Sequence, residues 1–217
     1  MLDTFEFSYQ VLRNQDIRQG NLRSRFDIIV LPDQSVNSLL NGHRRGSYPE
    51  EYVGGIGEDG VAALRTFVEE GGTLLLVDSA SDLAIEKMGV PVRNIVRDME
   101  EDQFYVPGSV LRLKVNPMHP VAYGMPAQTY AYFVNGPVFE PTGPVQVVAS
   151  WPGKDVLASG WLHGESYMTG RAALVEVPQG HGRMILVGFG ALHRAQPHAT
   201  FKVLFNSIFY AAQAAEG

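Results

Sequence analysis

Five residues, Asp78-Ser79-Ala80-Ser81-Asp82, follow the apolar run Thr73–Val77 and lead into "LAIEKMG". A strand that turns sharply into a helix lifts the turn side chain above the sheet, where many α/β enzymes hold a nucleophile. The chain has no cysteine, so thiolate chemistry, disulfides and thiolate metal sites are excluded. Ser79 and Ser81 are the candidate nucleophiles. A serine hydroxyl ionises too reluctantly for a helix dipole to activate it, so either one needs a base in hydrogen-bond contact. The alternative is structural: Asp78, Ser79 and Ser81 form the turn and cap the next helix.

Other side chains offer weaker chemistry. His43, Arg44 and Arg45 lie in "GHRRGSYPEEY", where paired arginines could clamp a carboxylate or simply meet water. "GGIG" (Gly54, Gly55, Gly57) precedes a helix; it suits a helix entry or an anion, but no Lys-Ser or Lys-Thr follows to make a phosphate loop. His193 and His198 are separated by "RAQP", and His163-Gly164-Glu165 places two ligand types on one strand face. Neither completes a metal set, and no metal or cofactor is expected. Trp151, Trp161, Tyr130 and Tyr132 could line a sugar-binding surface or lie in a core.

These residues need elements to position them. "FEFSYQVL" alternates like a strand, and "DIIVLP" (27–32) is a continuous apolar run suited to a parallel strand buried on both faces. The segment 33–57 is a long polar loop, broken by a short helix at Val36–Leu40. "EDGVAALRTFVEEGG" puts Val61, Leu64, Phe67 and Val68 on one helical face, with Glu58 and Asp59 at its positive end and Gly71 to stop it. Strand, helix, strand, turn and helix is the rhythm of a doubly wound sheet. From about residue 104 the pattern becomes short strands: "SVLRLKV", "QVVASW", "VLASGWL", and "AALVEV" joined through "PQGHG" to "RMILVGFG" as a hairpin. The last element, "ATFKVLFNSIFYAAQAA", is an amphipathic helix expected to pack beside "RMILVGFG".

At 217 residues, 45% hydrophobic and 18% charged, the chain suits one globular domain, residues 1–217. A chain this long buries roughly 70% of its unfolded surface and needs no staple. A net charge of −6 argues against nucleic acid as a partner. "MLDTFEFSYQVLR" does not read as a signal peptide, and no apolar run nears the ~20 residues of a membrane span. The default expectation is a cytoplasmic protein with no membrane partner.

In order, "FDIIVLPDQS", "FVEEGGTLLLVDSASDLAIE", "GVPVRNIV", "FYVPGSVLRLKV", "HPVAYGMP", "ASGWLHGE" and "GRMILVGFGALHRAQPHATFKVLFNSIF" resemble a class I glutamine amidotransferase-like domain, of the type found at the C-terminus of bacterial zinc carboxypeptidase family proteins. The resemblance spans nearly the whole chain. It implies a flavodoxin-like α/β sheet with an antiparallel-rich second half, and a nucleophile elbow after Leu74–Val77. It also implies a further βα unit ahead of "FEFSYQVL". That unit is absent from these residues, which would leave an unpaired edge and a drive to dimerise or swap. In the family the elbow holds a cysteine and the base follows the last strand; His193 has that position, making Ser79 or Ser81 with His193 a conceivable hydrolase pair, with Asp82, Glu165 or Asp33 as third member. The family's oxyanion turn is Gly-rich, whereas Asp33-Gln34-Ser35 stands there. The zinc ligands of the peptidase domain are absent.

The leading expectation is a non-catalytic amidotransferase-like domain for binding or assembly, accessory to a zinc carboxypeptidase-type enzyme. Its ligand would be a small molecule, peptide or carbohydrate, and it would form homo-oligomers. Ligands of such sheets bind at the C-terminal strand ends, which gathers Asp33, Gln34, Asp78, Ser79, Ser81, His193 and Arg194 around one cleft, with Arg44 on the long loop nearby. A serine hydrolase and an oligomerisation module are the alternatives.

Overall fold

The computed structural model describes residues 2–195 and 197–213. A 3₁₀ turn (Asp3–Phe5) and an irregular arm lead to α1 (Asn14–Arg18), β1 (Ile28–Leu31), α2 (Val36–Asn41), α3 (Gly57–Glu69) and β2 (Thr73–Val77). There follow α4 (Ser81–Leu83), which continues as a π turn through Ala84–Met88, then β3 (Val92–Asn94), β4 (Ser109–Val115), β5 (Gln128–Phe133) and β6 (Phe139–Pro141). The chain ends with β7 (Gln146–Ser150), β8 (Leu157–Ser159), α5 (Glu165–Met168), β9 (Ala172–Gln179), β10 (Gly182–Val187) and α6 (Phe201–Gln213).

The main sheet runs β1-β2-β10-β9-β7-β4-β5. β1, β2 and β10 are parallel, and every other pairing is antiparallel. β2 reads Thr-Leu-Leu-Leu-Val and is buried throughout, as a strand covered on both faces must be. Leu74 and Leu76 point into one core with Val61, Leu64, Phe67 and Val68 of α3. Leu75 and Val77 point into the other, with Val203 and Leu204 of α6. Each such side chain removed from water contributes about 1.5–3 kcal/mol.

α3 keeps its acidic first turn and ends at Gly71, whose φ is +105. At Gly72 a side chain would run into the Phe67 ring, so the turn into β2 requires glycine. The long loop contains α2, capped by the Ser35 hydroxyl accepting from the Ser38 N–H at 3.2 Å. "GGIG" delivers the chain into α3 at Gly57.

One expectation fails. "FEFSYQVL" forms no strand: after the 3₁₀ turn it has no regular structure and lies outside any ladder. Its aromatics pack on α6 instead, Phe5 and Phe7 lying 4.8 and 5.2 Å from the Phe205 ring. Among the described residues β1 bonds only to β2, which makes it an edge strand.

Candidate functional site

β2 ends between β1 and β10, at the centre of the parallel strands. The next residue, Asp78, has φ +54, a left-handed conformation that costs a non-glycine residue about 1 kcal/mol or more. The turn is held by what surrounds it. The Ser81 hydroxyl is fully buried and donates to the Leu76 carbonyl at 3.1 Å and the Val187 carbonyl at 3.4 Å, tying β2 to β10. The Ser79 N–H donates to Asp33 Oδ1 at 3.3 Å, tying in the loop after β1.

Asp78 is only 6% exposed. Its Oδ1 rests against Gly136, where an added side-chain carbon would lie 2.6 Å from it. Glycine at 136 is therefore what makes room for the carboxyl. Burial first, and then the Asp33 and Asp82 carboxylates, push this acid up to about 7 against the opposing Ser79 N–H. Asp82 is also raised, chiefly by burial, although the Asn94 amide donates to both its oxygens (3.1 and 3.3 Å) and Arg97 lies 3.4 Å away.

Beside the elbow is a cavity of about 230 Å³ whose polar lining includes Ser79, Asp82, Asn94, Arg97, Asn135 and Tyr105. Arg97 is engaged by Asp82 and Glu86. Asn135 is fixed by accepting the Val106 N–H at 2.7 Å. With the Asn94 and Asn135 oxygens taken by backbone N–H groups, the cavity offers the Asp82 and Glu101 carboxylates and the Ser79 and Tyr105 hydroxyls.

The predicted residues separate into several places. Asp33, Asp78, Ser79 and Asp82 converge at the elbow. Ser81 faces into the sheet, and neither it nor Ser79 caps α4 through its side chain. His193 is exposed and stacks on Tyr132 with ring centroids 4.0 Å apart; it is not part of the cavity wall. Arg194, beside it, is exposed at φ +45. Gln34 and His43 line a separate groove of about 620 Å³, with Arg44 exposed on the loop nearby. Glu165 caps a backbone N–H, that of Val156, and His163 Nε2 meets the Asp102 carbonyl at 2.8 Å. Among the described residues no three His, Asp or Glu side chains converge as metal ligands. Trp151 is core, whereas Trp161 and Tyr130 are exposed. Asn94, Arg97 and Asn135 were not singled out by the sequence; "VNGPV" carried the one usable signal, an Asn-Gly turn.

Solved structures share this arrangement of strands and helices. A GMP synthase-type protein of Thermoplasma acidophilum superposes with a TM-score of 0.61 at 10% identity, over 99% of this chain and 86% of that one. This is an α/β, flavodoxin-like fold. Two cytoplasmic proteins of Salmonella typhimurium share it, with TM-scores of 0.57 and 0.58 at 16% and 13% identity, over 96% and 99% of this chain and 83% of each of those. No protein-family model and no curated protein matches the sequence. The left-handed residue of the turn is Asp78, one residue ahead of Ser79 and three ahead of Ser81, the serines that the sequence brought forward.

Proposed function

We propose that the chain is a non-catalytic, amidotransferase-like binding domain that holds a small hydrogen-bond-donating ligand in the cavity beside Asp78. The observation that supports this most is the elbow: its left-handed residue is a buried carboxylic acid, not a nucleophile with a base. Acyl transfer needs a hydroxyl or thiol at that point and a base within hydrogen-bond reach. The Asp82 and Glu101 carboxylates suit the hydroxyls of a sugar or polyol, or the amine of a peptide. The acidic balance of the chain fits neither nucleic acid nor an anionic surface. Among the described residues no helix is long and apolar enough to cross a membrane. A cytoplasmic location, and a role beside a zinc carboxypeptidase-type enzyme, complete the proposal; the second rests on motif order alone.

The test has two arms. A fluorophosphonate probe is expected to leave the chain unlabelled. Labelling at Ser79 that is lost in His193→Ala would replace this reading with the serine hydrolase. A thermal-shift screen of polyols, sugars and amines is expected to give a stabilising ligand whose affinity falls about tenfold or more in Asp82→Asn. A ligand bound equally by wild type and Asp82→Asn would place binding elsewhere.

A further inference from the structure

β1 is a sheet edge without the usual protection. All four of its residues, Ile28, Ile29, Val30 and Leu31, are apolar, and its outer side has no partner strand among the described residues. Natural edges are blunted by lysine, proline or a bulge; none of these lies within Ile28–Leu31, which Asp27 and Pro32 flank.

A second unpaired element lies at the same end of the sheet. The N-terminal arm carries Leu2, Phe5 and Phe7 on the α6 side and Leu12 in the α3-side core, so it passes from one face to the other around the β1 end. Between Ser8 and Leu12 no backbone group bonds to another part of the described chain. Tyr9 and Val11 are 53% and 76% exposed. The segment alternates as a strand does, Phe7, Tyr9 and Val11 against Ser8, Gln10 and Leu12. Yet it does not pair with β1, and the 620 Å³ groove opens between Val11–Asn14 and the α2 end of the body. Beyond it, α1 is pinned by Asn14 to the Gly54 carbonyl (2.8 Å) and Arg18 to the Gly55 carbonyl (2.9 Å), and the Arg13 N–H is held by Asp16 Oδ2 (2.8 Å), which sets the hinge just ahead of Arg13.

We propose that two copies of this chain exchange their N-terminal arms, residues 7–12 of each adding as a strand to the outer edge of the other's β1. One chain holds both halves of a missing strand pair without joining them. Reciprocal exchange joins both pairs at once and closes the assembly with twofold symmetry. The arm gives up the contacts of Phe7 with α6 and of Leu12 with the α3-side core, while the edge gains a ladder and a cover for Ile28 and Val30.

The absence of cysteine makes the test direct. Sedimentation of the full chain from about 1 to about 200 μM is expected to show a monomer passing to a dimer. Single variants Tyr9→Cys and Val11→Cys, each mixed with Val30→Cys under oxidation, are expected to give a mixed disulfide-linked dimer, since paired strands bring side chains to disulfide distance. Ile28→Cys repeats the edge position if Val30→Cys misfolds, with circular dichroism as the check on folding. A monomer at every concentration with no mixed disulfide overturns the proposal. So does a dimer joined only through Val30→Cys to itself, which would be direct edge-to-edge pairing. A disulfide formed within one chain carrying both Val11→Cys and Val30→Cys, with that chain remaining monomeric, overturns it equally.

Discussion

Asp78 combines three unfavourable conditions: a left-handed backbone, burial, and two other carboxylates close by. The charge state follows from this. Its native value of about 7 lies above the ordinary 3.8, so between those pH values the folded chain holds a proton that the unfolded chain has lost. Stability from this residue is therefore fully present below about 4 and lost as pH rises through about 7. Asp82 acts in the same direction. Three pH units correspond to roughly 4 kcal/mol as an upper scale. Asp78→Asn keeps the shape and removes the titration. Urea unfolding followed from pH 4.5 to 8 should show wild type losing stability with pH and the variant losing markedly less. Parallel curves would mean that Asp78 is ionised throughout. The neighbouring Gly136 gives a second check at this scale. Gly136→Ala drives a methyl into the Asp78 carboxyl, and should cost about 1–3 kcal/mol in the same unfolding assay.

The elements that position Asp78 were largely legible in the sequence. β2 is an unbroken apolar run between two glycines and a turn, and α3 shows its buried face at helical spacing, so both appear where expected. The β9–β10 hairpin was equally plain in "PQGHG". "FEFSYQVL" misled because alternation describes the side chains and says nothing of a backbone partner; without a neighbouring strand the aromatics turned to α6. The site was less legible, because a positive φ at an aspartate is set by contacts from Val187, Asp33 and Gly136, all distant in sequence. A buried polar cluster was invisible for the same reason. Glu176 of β9 lies 3.2 Å from His119 Nε2 and 3.6 Å from Arg183 Nε of β10. His119 and Glu176 are close but poorly aligned for a hydrogen bond. Arg183 also stacks over Tyr210 of α6 at 3.9 Å, and burial together with Glu176 holds the Tyr210 hydroxyl above its usual range. This cluster joins two strands and a helix across one face. Glu176→Ala leaves Arg183 and His119 without their shared carboxylate, and should cost about 3 kcal/mol in urea unfolding. A loss under about 0.5 kcal/mol would mean that water already serves the cluster.

At the scale of the whole molecule, the two cores lie on opposite faces of one sheet, and the same strands build both. β2 gives Leu74 and Leu76 to the α3 side and Leu75 and Val77 to the α6 side; β10 divides Met184 and Leu186 from Ile185 and Val187 in the same way. Neither core can lose its strands while the other keeps them. The parallel strands and the antiparallel second half are likewise joined through the β9–β10 ladder, which pairs six residues from Gly182 to Val187. The 217 residues should therefore unfold as one unit, although parallel and antiparallel regions often mark separate domains. The expectation is that far-UV circular dichroism, which follows the backbone, and near-UV dichroism from buried Trp151 give coincident urea transitions at one protein concentration. Leu76→Ala opens the α3-side core and Leu204→Ala the α6-side core, at about 2–5 kcal/mol each. Both should move the two transitions together. If Leu76→Ala shifted only the backbone signal and left that of Trp151 in place, the sheet would be two cooperative units meeting at β10.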